Sequence, residues 1–245
     1  MAPLLQTLLG HPVTDQVFGF LDHDHQVQRV AGGNESEVYC TDDHQFVIKI
    51  KGELAGSTDT ALAHAQTMRQ AATEFAACLG ETYSIPTYFV IARDNAGESQ
   101  VVIIQPYVHH ARPLAEADYA QLSGEGRAEI ARQLSDIIKR AVGCYRDRGR
   151  MPDLYGRKSR TPEERKRLNA PSMIFWRIWS FLVQRTLLRS QNLMMGEIYP
   201  HPIVLVDYDP VRQSNLYQWL YYLIRWMLFW RDRLLIQTLA QDKDS

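Results

Sequence analysis

The sequence predicts an α+β chain of two lobes, an antiparallel-sheet N-lobe over residues 1–106 and a mostly helical C-lobe over residues 107–245. Two observations predict it. Up to Pro106, short runs rich in Val, Ile and Tyr are separated by turn residues and surround one helical stretch. From Ala115 onward, apolar residues instead recur at spacings of three and four. The length of 245 residues, with 45% hydrophobic and 22% charged, suits one large domain or two lobes sharing an interface, and excludes a repeat array or a small disulfide scaffold.

Gln26 to Val30 and Glu37 to Cys40 flank the turn-rich Ala31-Gly32-Gly33-Asn34-Glu35-Ser36, and Gln45 to Ile50 completes three antiparallel strands. Thr58-Asp59 caps a helix that runs to Leu79, where Gly80 suits the C-cap. Tyr88 to Ala92 and Gln100 to Gln105 are two further strands around Asp94-Asn95-Ala96-Gly97. In the second half, Glu129 to Cys144 places Ile130, Leu134, Ile137, Ile138 and Ala141 on one helical face. Thr161-Pro162-Glu163-Glu164 reads as a capping-box helix start. An amphipathic stretch then carries Ile174, Phe175, Ile178, Trp179 and Leu182 on one side. Asn192 to Met195 and Ile203 to Val206 read as a hairpin running into Asp207, and the last helix spans about Ser214 to Leu239. The aromatic stretches Phe175 to Phe181 and Trp219 to Trp230 are expected in the core, the usual place for aromatics at helical spacing, with membrane docking as the alternative.

Charge and cysteine usage limit the function. Lys and Arg number 27 against 28 Asp and Glu, a net charge of −1, so no nucleic-acid-coating surface is expected. Cys40, Cys78 and Cys144 are odd in number and far apart, with no CxxC pair, so neither a disulfide framework nor a zinc site is expected, and a reducing, cytoplasmic setting is. The N-terminus lacks a secretory leader, and the uncharged run Gln213 to Ile224 stops at Arg225, too short to span a bilayer. Between Arg146 and Arg167 nine basic residues face four acidic ones, a local excess of +5 that suits phosphates, an anionic acceptor or an anionic membrane surface, or is a solvated helix face. No Gly-x-Ser-x-Gly, His-Glu-x-x-His or Rossmann fingerprint occurs.

Gly32-Gly33 lets backbone N–H groups approach a phosphate, or is only a hairpin turn. Lys49, inside the apolar run Val47 to Ile50, either meets an anion or faces out of an edge strand. Glu74 lies mid-helix, whereas Asp207 ends a buried strand, where ligands commonly bind; Asp209 shares a cation with it or caps the next turn. His23 and His25, with Asp22 and Asp24, form a polar turn or a metal site.

In their order along the chain these residues resemble the protein-kinase-like superfamily from about Arg29 to Leu239. The segment Ala31 to Val38 looks like its Gly-rich nucleotide loop, with Gly32, Gly33 and Ser36 implied in nucleotide binding. Val47-Ile48-Lys49 looks like its lysine strand, Glu74 like the glutamate that pairs with that lysine, and Ile104 to Val108, with Gln105 and Tyr107, like the interlobe hinge. Asp207-Tyr208-Asp209 falls where the family carries Asp-Phe-Gly, and Asn192 where it carries the metal-binding asparagine. The resemblance implies ATP and Mg2+ as cofactors, Asn192 and Asp207 as metal ligands, and Asp153 as catalytic base toward a small-molecule or protein hydroxyl acceptor.

The departures matter as much. The family's asparagine follows its catalytic aspartate by five residues; here that position is Lys158, and Asn192 lies 39 residues beyond Asp153. An insertion over about 157–191 therefore splits the catalytic loop, or Asp153 is not the base. Asp-Leu-Tyr-Gly resembles the loop of small-molecule kinases, and no Ala-Pro-Glu motif follows Asp207. The expectation is an ATP-dependent phosphotransferase, with a pseudokinase or nucleotide-binding interaction module as the alternative. Its setting is the cytoplasm, including the membrane periphery.

Overall fold

A computed structural model of the chain describes residues 27–32, 37–51, 56–93, 98–156, 170–179, 183, 185–208 and 215–241. Two compact units divide them. One takes the residues up to Ala72 together with Pro86–His109; the other takes Thr73–Ile85 and the residues from His110 onward.

The first unit is a five-stranded antiparallel sheet. Its strands are β1 (Val27–Gly32), β2 (Glu37–Thr41), β3 (Phe46–Ile50), β4 (Tyr88–Arg93) and β5 (Ser99–Pro106), in the order β1-β2-β3-β5-β4. Helix α1 (Thr58–Leu79) starts in this unit and ends in the other. The pleat sorts the apolar residues to two faces. Ile48, Val90, Ala92, Val102 and Ile104 form one cluster. Ile91, Val101 and Ile103 form the other, packed with Ala61, Ala65 and Met68 of α1. Alternation thus buries both faces of the sheet's central strands, which is why β5 reads as a nearly unbroken apolar run.

The second unit is helical around a three-stranded antiparallel sheet, β6 (Ala111–Pro113), β7 (Leu193–Gly196) and β8 (Ile203–Leu205). Its helices are α2 (Gly124–Arg148), the short α3 (Ile174–Trp179) and α4 (Asn215–Gln241). No helix of the described residues is long and apolar enough to cross a membrane. Strand β6 falls in a stretch the sequence left unassigned, since three residues ending in proline carry no periodic signal. Helix α2 is longer than Glu129 to Cys144: the Ser123 hydroxyl accepts from Gly126 N–H at one end, and the left-handed Gly149 closes the other. The expected face, Ile130, Leu134, Ile137, Ile138 and Ala141, is fully buried.

Two expectations are corrected. Cys78, in α1, and Cys144, in α2, form a disulfide across 66 residues, with Cα atoms 5.6 Å apart. Sequence spacing cannot reveal a pair made by packed helices, and cysteine usage no longer argues for a reducing compartment. The aromatics of the late helices are also not all core, because Phe175, Trp179, Trp219 and Trp230 are exposed. The capping-box start at Thr161 and the polar turn at His23 and His25 lie outside the described residues.

Candidate active site

In the first unit, Gly32 closes β1 opposite Glu37, while Gly33 and Ser36 lie outside the described residues. Lys49 pairs across the sheet with Val38 and Ile103. Because cross-strand partners share a face, Lys49 is on the side that Ile103 shares with α1. Gln105, opposite Val47 and buried, donates from Nε2 to Thr87 Oγ1 at 2.9 Å. Tyr107 donates its N–H to Gln45 O at 2.8 Å, and its ring sits between His44, centroids 5.5 Å apart, and His109, at 5.1 Å.

The second unit assembles a polar cluster from three separate segments. β7 and β8 pair with Leu193 opposite Leu205, and Val206 N–H continues the ladder to Asn192 O at 2.9 Å. Asn192 and Asp207 therefore sit at the same end of the hairpin. Asn192 Nδ2 donates to Asp153 O at 2.8 Å, across 39 residues of sequence. Two more bonds join the same strands of chain: Ser190 Oγ donates to Leu154 O, and Gln191 N–H to Tyr155 O at 3.0 Å. The Ser190 hydroxyl also accepts from Asn192 N–H and Leu193 N–H. The segments 153–155 and 190–193 are thus laced together. Gly156 makes that closeness feasible. At φ +60° it stands where a Cβ would lie 2.3 Å from Asn192 Oδ1 and 2.7 Å from Asn192 N.

Asp153 is held from two sides. Its Oδ1 accepts from Tyr155 N–H at 3.1 Å, closing a local turn, and lies 3.4 Å from Arg225 Nη2 of α4. Arg225 is buried, with its guanidinium 4.3 Å from the Tyr155 ring centroid and 4.9 Å from that of Tyr221, whose hydroxyl accepts its Nη2 hydrogen at 3.0 Å. Burial works against the Arg225 charge, but Asp153 and Tyr221 outweigh it and hold the pKa above the usual arginine value. The Asp153 side chain keeps partial exposure. On the far side of Asp207, Tyr208 OH accepts Ile85 N–H at 2.7 Å, and its hydroxyl pKa is pushed up to about 12 by burial. Asp207 is thus held between two pinned neighbours.

Glu74 belongs to this unit. Arg150 Nη2 reaches both its carboxylate oxygens, at 2.8 and 2.9 Å, which ties α1 to the chain just before Asp153. Arg148 Nη1 bonds Glu74 O at 3.4 Å, so two of the nine basic residues of 146–167 serve this junction; Arg157 to Arg167 lie outside the described residues. Sequence reasoning missed Arg225, Ser190 and the closeness of Gly156 to Asn192. Only Arg225 left a signal, as the single charge between Leu216 and Trp230, on what proves to be the buried side of the helix.

No family model and no curated protein matches the chain. Among solved structures it aligns with aminoglycoside 2'-phosphotransferase-IIIa in its GDP complex, at 13% identity and a TM-score of 0.45, covering 94% of this chain and 82% of that one. It also aligns with a spectinomycin phosphotransferase bound to ADP and spectinomycin, at 13% identity and TM-score 0.37 over 79% and 68% of the two chains. A MAP kinase of Leishmania major aligns at 9% identity and TM-score 0.38, over 84% of this chain and 52% of the kinase.

Proposed function

We propose that the chain is an ATP-dependent phosphotransferase that moves the γ-phosphoryl group of ATP to a hydroxyl acceptor. The observation that supports this best is the joining of Asp153, Asn192 and Asp207 at one hairpin end, through the Asn192 Nδ2 to Asp153 O bond. A carboxylate and an amide at one hairpin end, both carrying hard oxygen donors, suit Mg2+, which takes one or two protein carboxylates and completes its shell with phosphates and water. Asn192 and Asp207 would hold it, and the ion when bound neutralises charge on the transferring phosphoryl oxygens. Asp153 would accept the acceptor's proton, with Arg225 fixing its carboxylate. Lys49 would neutralise phosphate from the sheet, Gly32, Gly33 and Ser36 would form the loop over it, Glu74 would orient Lys49, and Gln105 and Tyr107 would border the base. The acceptor is a small molecule or a protein.

A second reading, a pseudokinase that binds nucleotide without turnover, draws on one specific observation: the Asp153 carboxylate is already engaged by Tyr155 N–H and Arg225. Thermal shift with Mg-ATP, followed by ATP turnover, separates the two. Stabilisation with turnover abolished in Asp153→Asn supports the enzyme, and stabilisation without turnover supports the pseudokinase. If neither appears, both readings fail.

A further inference from the structure

Among the described residues, helix α4 carries an unexplained surface. Tyr222, Arg225, Phe229, Asp232 and Ile236 recur every three or four residues and are buried against the second unit. On the opposite side Leu216, Trp219, Leu220, Trp226, Trp230 and Leu234 are exposed, Trp219 at 56% and Trp230 at 59%. At 100° per residue these six fall within one stripe of the helix, about 27 Å long at 1.5 Å per residue. A contiguous apolar stripe of this length on a water-facing helix marks a contact surface.

We propose that this face is a docking surface for an anionic lipid bilayer, with α4 lying in the plane of the interface. Two observations choose lipid over another occupant. Three of the six residues are tryptophan, the side chain that settles at headgroup depth because its ring is apolar and its N–H is polar. Helix α4 exposes positive charge and no acid: its single acid, Asp232, is buried and paired with Arg231, while Arg233 stands 5.7 Å from the Trp230 ring centroid at the stripe's edge. A second copy of the chain is the competing occupant, because Leu216, Leu220, Leu223, Met227, Trp230 and Leu234 recur at the alternating four-and-three spacing of a helical seam, and the oligomeric state separates the two. The helix neither spans nor needs to; its inner face stays tied to the protein through Asp232, whose Oδ2 accepts Leu187 N–H at 3.0 Å.

The test is flotation of the full chain with phosphatidylcholine vesicles, with and without roughly one-third phosphatidylserine, at low and high salt. The protein should float with the anionic vesicles at low salt, and the triple variant Trp219→Gln, Trp226→Gln, Trp230→Gln should lose about tenfold or more of that partitioning. These side chains are exposed, so its thermal melt should stay close to the wild type's. Should the variant nevertheless misfold, quenching of wild-type tryptophan fluorescence by brominated acyl chains reads the same insertion without a substitution. Absence of both flotation and quenching overturns the proposal. So does a wild-type dimer by light scattering that the triple variant converts to monomer, since the stripe then serves a second copy. Neither outcome depends on whether ATP is turned over.

Discussion

In the first unit, the residues that hold the structure together are neighbours in the pleat: Ile48 meets Ile104, Val102 meets Val90, and each pair follows from period-two alternation in short strands. In the second unit, the residues that hold Asp153, namely Asn192 and Arg225, come from positions 39 and 72 residues away, and they are joined to it by polar bonds rather than apolar contact. The sheet gains from each buried methylene independently. The cluster is a network in which removing one donor strands several partners. A pattern of apolar residues is therefore robust and readable, while a polar assembly is specific and readable only once folded.

The first way to sharpen this contrast is Asp207→Ala. On the proposed reading it should lower ATP turnover by about a thousandfold, a loss of transition-state charge stabilisation, while leaving the melting temperature nearly unchanged. Steady-state ATP hydrolysis beside a thermal melt checks both halves. Equal loss of activity and stability would mean that Asp207 is structural.

Next in size is Ile48→Ala in the sheet, expected to cost about 2–5 kcal/mol because it removes a fully buried side chain and leaves a cavity. Urea denaturation followed by circular dichroism reads it. Ser190→Ala deletes a hydroxyl that donates once and accepts twice, and should cost about 1–3 kcal/mol by leaving two N–H groups and a carbonyl short of partners. Its signature should differ from that of Ile48→Ala: faster amide exchange at Asn192 and Leu193, with the sheet unaffected.

The smallest effect concerns pH. The Tyr208 hydroxyl titrates at about 12 when folded against about 10 in an unfolded chain. A raised folded value favours the protonated form, so its contribution to stability is full below about pH 10 and is lost as pH rises through about 12. Tyr208→Phe should make the alkaline loss of stability shallower and cost about 1 kcal/mol at neutral pH, from the hydrogen bond to Ile85 N–H. An unchanged alkaline slope in denaturant melts between those values would assign the loss to other buried tyrosines, such as Tyr222, whose pKa is also pushed up to about 12.

Strands β1 to β5, the helix ending at Gly80 and the β7–β8 hairpin were all legible, because each is dictated by residues within a few positions of one another. The hairpin alone puts Asn192 and Asp207 at one end, so half of the candidate site follows from local pattern. Asp153 does not. Its place beside Asn192 depends on a chain excursion that closes through Ser190 and Gly156, and no spacing rule encodes a return across more than thirty residues. Arg225, the Cys78–Cys144 bond and the exposure of Trp219 and Trp230 escaped for the same reason. An amphipathic helix with apolar residues nearly all round does not announce which side will find a partner.

The sequence by itself determined the α+β division, the strand order's raw material and the residue types able to handle phosphate and Mg2+, because backbone propensity and hydrophobic period act over a few residues. Tertiary structure alone decided that Asp153 lies against Asn192, that Arg225 is buried beneath it and that one face of α4 is left to solvent. Those outcomes depend on which distant segments pack together, and hydrogen bonds and burial are settled only where packing brings their partners within reach.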